Sequence, residues 1–414
     1  MTLPYPTLWA AGNESRTPFT PQERNAGLPC GAADPDKFDA LFHNYDRNIN
    51  RLTNQLATAA TAVGLTFNLA DATSLDQVLK TYQDIIKENL TVNVPADFPD
   101  VVEAMIHLSQ FRISEGATVI VNVAAGTYNH GSKVIPGHPD GLRIKIVGPA
   151  LPSGMVTQGE FQVTGSSEAN IATDRIVNES MLRSRFPVRI QVSGTAVDTT
   201  NNAVSLQNIL FIGSGGGTGI RTQSGVAVAE NVSCHNFEFG WLVDRDGLIF
   251  APGCTSSGCF DDGWQVTNNG TIFNENGIAS GNNRAGYRAS VGGTVVARAA
   301  TSKGNGEAGF MVSIAGIMQA FSAVAKNNAG DGFFITLDGT MQARETTSEN
   351  NGGWGYHIFN GGRMNAGAST ATDNADGGYR VQSFGGMTIT GKSGSPTTSP
   401  TVNTVGNGNG YIRD

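Results

Sequence analysis

Residues 309–334 read GFMVSIAGIMQAFSAVAKNNAGDGFF, and the stretch begins again where it ends. Gly309-Phe310 returns as Gly332-Phe333, a 23-residue step. The same step carries the pair back to Gly286-Tyr287, Gly263-Trp264 and Gly240-Trp241, and forward to Gly355-Tyr356 and Gly378-Tyr379. A second glycine follows each first one after seven residues, at Gly247, Gly270, Gly293, Gly316, Gly339, Gly362 and Gly385. An asparagine follows after nineteen, at Asn282, Asn305, Asn328, Asn351 and Asn374, with Cys259 holding that place in the first rung. A fixed period of this kind is the mark of a solenoid, in which each unit buries its inner face by stacking on its neighbours.

The alternation inside one unit says what kind of solenoid. Side chains two apart on a strand share a face, so the aromatic and the residue two beyond it (Val243, Val266, Ala289, Val312, Ile335, Ile358, Val381) point inward. Leu242, Gln265, Arg288, Met311, Phe334, His357 and Arg380 lie between them and point outward. A second strand brings Ile249, Ile272, Val295, Met318, Met341 and Met364 inward, and a third short segment brings Ala279, Ser302, Ala325, Ser348 and Ala371. A unit this short, holding three short strands, is too small for helical repeats, and no leucine-rich signature is present. The expected fold is an all-β solenoid, a right-handed parallel β-helix with 23-residue rungs. Its asparagines should form a bonded ladder at one turn.

Outward from the repeat, the chain divides. Residues 1–33 show no periodicity and read as an extended arm. Asp34-Pro35 starts a helix, and Phe38, Phe42, Tyr45, Ile49, Leu52, Leu56, Ala59 and Val63 then follow heptad spacing. Residues 34–64 are therefore expected to be a helix in a coiled coil, which makes the protein an oligomer. Residues 65–115 are expected to be a helical linker or cap, with one helix over 73–89 and another from Pro99 to Phe111, one of them plugging the open end of the coil. The β-helix is placed at 116–414. Its rungs are irregular over 116–235, where Ala125 to Tyr128 reads as a turn and 150–187 as a loop-like insertion. They are regular over 236–390, with a terminal rung at 391–414 marked by Gly410-Tyr411.

Composition narrows the function. The net charge of -8 gives a nucleic-acid partner little support. No run of apolar residues is long enough to span a membrane, and no secretory signal is visible at the N-terminus. Cys30, Cys234, Cys254 and Cys259 form no CxxC pair and read as small buried thiols, a Cys254–Cys259 disulfide being the alternative. The glycines at 213–219 lack the Lys of a phosphate loop. No metal site or cofactor is expected.

The openings Thr118 to Tyr128 (TVIVNVAAGTY) and Arg143 to Gly148 (RIKIVG) resemble those of pectate-lyase-like β-helices, including bacteriophage tail spikes and tail fibres. The Asn-x-x-x-Gly-aromatic rungs are similar to the same superfamily's repeats, and an arm plus coiled coil before the β-helix is similar to virion-anchored trimeric spikes. The resemblance implies a homotrimer on a phage tail, made in the host cytoplasm. Residues 1–33 would be its virion-anchoring arm, residues 1–64 its link to other tail or baseplate proteins, and a host surface polysaccharide its target. Some relatives cleave polysaccharide and others only bind it, and a non-viral adhesin on the same fold is a third reading, which the missing signal sequence opposes.

The 23-residue ruler locates the carboxylates that hydrolysis would need, about 5 Å apart for retention or 6.5–9.5 Å for inversion. Glu238, Asp261, Arg284 and Glu307 share one position on successive rungs, with Asp262 and Asp331 beside them and Arg288 nearby. An enzyme would use Glu238, Asp261 and Glu307, with Arg284 and Arg288 gripping the sugar. The competing reading is a solvated turn in which Arg284 pairs with Asp261 and Glu307. No compact acidic cluster has calcium spacing. Phe334, Trp354, His357 and Phe359 are candidate sugar-stacking residues, or contacts with other copies beside Met311 and Leu242. The balance favours a binding and scaffold protein over an enzyme.

Overall fold

The computed structural model describes residues 85–165, 167–389 and 411–413. The arm, the heptad run and most of the helix expected over 73–89 lie outside them. The described chain from Ile85 onward is one compact unit, and it is a parallel β-helix. Equivalent strands of successive regular rungs pair in parallel: Phe310↔Phe333 in the first strand, Met318↔Met341 in the second, Ala325↔Ser348 in the third.

The core follows the alternation. Trp241, Trp264, Tyr287, Phe310, Phe333 and Tyr356 are fully buried, as are Ile249, Ile272, Val295, Met318 and Met341. The aromatic rings stack along the axis through Tyr379 with centroids 4.5–5.9 Å apart and planes within 9°. The asparagine ladder is also present. From Asn305 to Asn374 each Oδ1 accepts twice from the preceding rung, once from a backbone N–H and once from a side-chain amide: Asn305 N and Nδ2 reach Asn328 Oδ1 at 3.0 and 2.8 Å. At its head, the Cys259 N–H donates to Asn282 Oδ1. Cys234, Cys254 and Cys259 are free and buried, so no Cys254–Cys259 disulfide forms. Burial pushes the last two thiols up to about 12 and about 11.

Several expectations need correction. The solenoid starts at Leu90–Val94, not at 116, because that strand pairs with Val119–Val123 and Asn122 donates to Asn93. Residues 85–115 are accordingly not a helical linker: Ile85–Ile86, expected at the end of a helix, pairs with Arg112–Ile113 as a small parallel sheet. The helix expected from Pro99 is there as α1, Val101–Leu108, capped by Asp100. Its Val101, Val102, Ala104, Met105 and Leu108 join the core and plug the first coil. Gly126–Gly131 is a strand rather than a turn, paired with Val188–Val192.

The insertion at 150–187 carries a second helix, α2, Glu168–Arg185. The sequence hides it because its buried stripe is Ile171, Asp174, Asn178 and Leu182, half of it polar. Asp174 and Asn178 accept from the backbone N–H of Thr164 and Gln162 at 2.7 Å, which ties the insertion to its own helix. Lys303 reaches out of the third strand to the carbonyls of Gln158 and Phe161 and fastens the insertion to the coil.

Finally, Tyr411 pairs with Gly386, the second strand of the rung below, and not with Tyr379. Gly410-Tyr411 therefore does not continue the aromatic register.

The turn between the first and second strands runs through residues of positive φ along the regular rungs. At Asn268 and Asn269 this is ordinary, whereas Val291 and Ile314 are β-branched and sit at φ 48°. A left-handed conformation costs an L-residue about 1–2 kcal/mol, and here it is held by stacked turns in which Asn269 N–H donates to the Val291 carbonyl and Gly292 N–H to that of Ile314.

Candidate functional site

The functional geometry lies on the outward face of the first-strand sheet. At the position just before the first glycine, two rungs carry an aspartate, Asp262 and Asp331, three rungs apart. Each does the same two things. One oxygen accepts the backbone N–H of the next rung, Ala285 at 2.9 Å and Trp354 at 2.6 Å respectively. The other faces the outward side chain one rung and three positions ahead: Asp262 lies 3.5 Å from Arg288, and Asp331 lies 2.8 Å from His357 Nδ1. Asp331 thus holds the His357 ring by a hydrogen bond, whereas Asp262 faces Arg288 as an ion pair without one.

The two pairs differ in surroundings. Asp262 is fully buried. Burial pushes its carboxyl up to about 6, against the pull of Arg288 and with the help of neighbouring Asp261. Asp331 is part of a larger network. His357 Nε2 lies 3.1 Å from the Gln382 amide, and in the orientation that satisfies both neighbours this amide donates to His357 while its oxygen accepts from Arg380 Nε at 3.1 Å. Arg380 lies over the Trp354 ring, 5.2 Å from its centroid. Phe334 meets His357 at 5.1 Å.

Between the two pairs the outward face is apolar, carrying Met311 and Phe334. Strands lie about 4.8 Å apart, so three rungs separate the pairs by about 14 Å. The result is an apolar platform flanked by two fixed polar groups, which suits a sugar: C–H faces pack on the ring and hydroxyls meet planar polar side chains.

The acidic stripe expected for catalysis is arranged otherwise. Arg284 lies between Asp261, at 3.0 Å, and Glu307, at 3.2 Å, and occupies both carboxylates. Glu238 stands exposed with no ion pair among the described residues. Of the candidate binding residues, Phe334, Trp354 and His357 come together, Arg288 is paired with Asp262, and Arg284 belongs to the ion-paired turn. Phe359 falls at the corner rather than on this face. Asp331, Gln382 and Arg380 join the site without having stood out as binding residues in the sequence. Their signal is present there, since an aspartate at one position with a polar residue one rung and three positions further on recurs twice.

Among the described residues no group of acidic, histidine or cysteine side chains could hold a metal ion. No described helix is long and apolar enough to cross a membrane.

No protein-family model and no curated protein sequence matches the chain. Similar solved structures come from Azotobacter vinelandii. The A-module of mannuronan C-5 epimerase AlgE4 is 13% identical with a TM-score of 0.47, over 70% of this chain and 75% of that one. The A-module of mannuronan C-5 epimerase AlgE6 is 12% identical with a TM-score of 0.38, over 71% and 94%.

Proposed function

We propose that this chain is a bacteriophage tail fibre or tail spike component whose β-helix binds a host cell-surface glycan. In this reading it assembles as a homotrimer and joins other tail or baseplate proteins through residues 1–64. The observation that carries the glycan is the apolar platform of Met311 and Phe334 held between Asp262–Arg288 and Asp331–His357. The phage assignment is supported by the openings at 118–128 and 143–148 and by the heptad run ahead of the β-helix.

Cleavage of the glycan is a second reading, supported by Glu238, Asp261 and Glu307 sharing one position on neighbouring rungs. The ion-paired state of Asp261 and Glu307 opposes it. Incubating the purified protein with capsule or lipopolysaccharide decides between the two. Retention of the polysaccharide without new reducing ends is expected. Release of reducing ends, lost in Asp261→Asn, would overturn binding alone in favour of hydrolysis.

A further inference from the structure

A cleft of about 320 Å³ opens between helix α2 and the ends of the early third strands, on a different sheet from the platform. Its volume is at the small end of small-molecule sites, roughly 300–1,000 Å³. One wall is the stretch of α2 that carries Glu179 and Arg183, one helical turn apart. The opposite wall is a column of residues in one register on successive rungs: Asn129 pairs with Gln191, and Gln191 with Ile212. The same register continues through His235 to Ser257.

At His235 the column passes under the helix, where a buried chain of polar groups begins. Ser257 Oγ lies 2.8 Å from His235 Nδ1, and His235 Nε2 lies 3.6 Å from Glu179 Oε2. Arg183 in turn donates to Glu179 Oε1 at 2.8 Å. His235 is fully buried, and its Nε2 makes no hydrogen bond. An unpaired buried polar atom costs stability, and packing the insertion does not require one, since Ile212 in the same register packs against it with apolar atoms alone. The chain does something else. It fixes Glu179 from behind and, through Glu179, fixes the Arg183 guanidinium in the cleft wall. The Nη1 end of that guanidinium has no partner among the described residues.

The groups left over select the ligand. Asn129 Oδ1 accepts the Gly131 N–H, which leaves the amide NH₂ as a donor. Asn236 is used the other way round: its Nδ2 donates to the Gly213 carbonyl, which leaves Oδ1 as an acceptor. Gln191 has both ends free among the described residues. Donors and acceptors side by side match hydroxyls, which do both, whereas an anion would meet donors alone. The charges of Glu179 and Arg183 cancel, so nothing in the lining draws a charged ligand. Val192 and Ile212 add the apolar surface on which the C–H face of a ring can pack.

We infer that this cleft holds an uncharged sugar unit, as a second glycan subsite separate from the platform. The inference rests on the glycan reading proposed above but uses none of the platform's residues.

Saturation-transfer NMR of the full chain with glucose, galactose and mannose, each at millimolar concentration, tests it. Transfer to at least one hexose is expected from the wild-type protein. It should be lost in Ser214→Trp, which places an indole into the cleft from an exposed position. It should fall at least threefold in Gln191→Ala, which opens the wall without filling it. Full transfer in both variants, or no transfer to any of the three hexoses from wild type, would overturn the inference. Retention of capsule or lipopolysaccharide, measured on the same samples, separates the two readings. Retention without hexose transfer ends the subsite alone, and the absence of both ends the glycan reading with it.

Discussion

Asp262 is the residue at which burial and charge are most directly opposed. It is enclosed on the rung above Glu238 and below Arg284, and Arg288 only partly compensates its charge. A carboxyl whose folded value lies above its unfolded value binds its proton more tightly in the folded state. Its contribution to stability is therefore greatest at low pH and is lost as pH rises from the ordinary 3.8 to about 6. The loss is on the order of 2–3 kcal/mol from the size of the shift. Asp140, held down at about 2 first by Arg112, and Glu179, held down at about 2 first by His235, act in the opposite sense. The stability they contribute is present above their ordinary values and lost as pH falls through about 2. Asp262→Asn should abolish the falling limb between pH 4 and 6, measured by urea unfolding across that range. A variant that keeps the limb would show that Asp262 is not its source.

At the scale of the element, the asparagine turn carries a demand that the backbone cannot meet alone. The N–H of Asn305 points along the axis at a turn, and its partner is Asn328 Oδ1 at 3.0 Å. Asn328→Ala leaves that buried N–H without an acceptor and breaks the ladder on both sides, at a cost of about 1–3 kcal/mol. Thermal unfolding should show a lower midpoint than wild type, and an unchanged midpoint would mean that the ladder is ornament. These turns are legible in the sequence because the asparagine recurs at one register. Helix α2 is not, because a stripe of Ile171, Asp174, Asn178 and Leu182 has no helical hydrophobic signature and its polar members are satisfied by a loop whose path the sequence does not display. The strand at Leu90–Val94 is hard to see for a related reason. A short alternation, without a following Gly-aromatic pair, looks like the end of the helix expected before it.

At the scale of the whole molecule, the period tells more than the composition. A 23-residue repeat fixes which side chains stack, so the inward set, the aromatic column and the asparagine ladder are all written in the sequence. The same ruler, applied to charges, picks out Asp261, Arg284 and Glu307, in which one guanidinium pairs with both carboxylates. The platform needs a diagonal reading. Asp262 to Arg288 and Asp331 to His357 each span one rung plus three positions, a contact that comparison at a single register cannot find. Tyr411 shows the limit of the ruler. It keeps the Gly-aromatic motif but, after a longer connection, enters the second-strand register.

The claim that joins these scales is that the outward face around Phe334 binds glycan. Isothermal titration of wild type and Phe334→Ala, with a capsular or lipopolysaccharide fragment to which the wild-type protein binds, tests it most directly. Loss of a stacking aromatic from a sugar platform is expected to weaken binding at least tenfold, while the unfolding midpoint changes little because Phe334 points outward. Binding of Phe334→Ala at wild-type affinity would contradict the account.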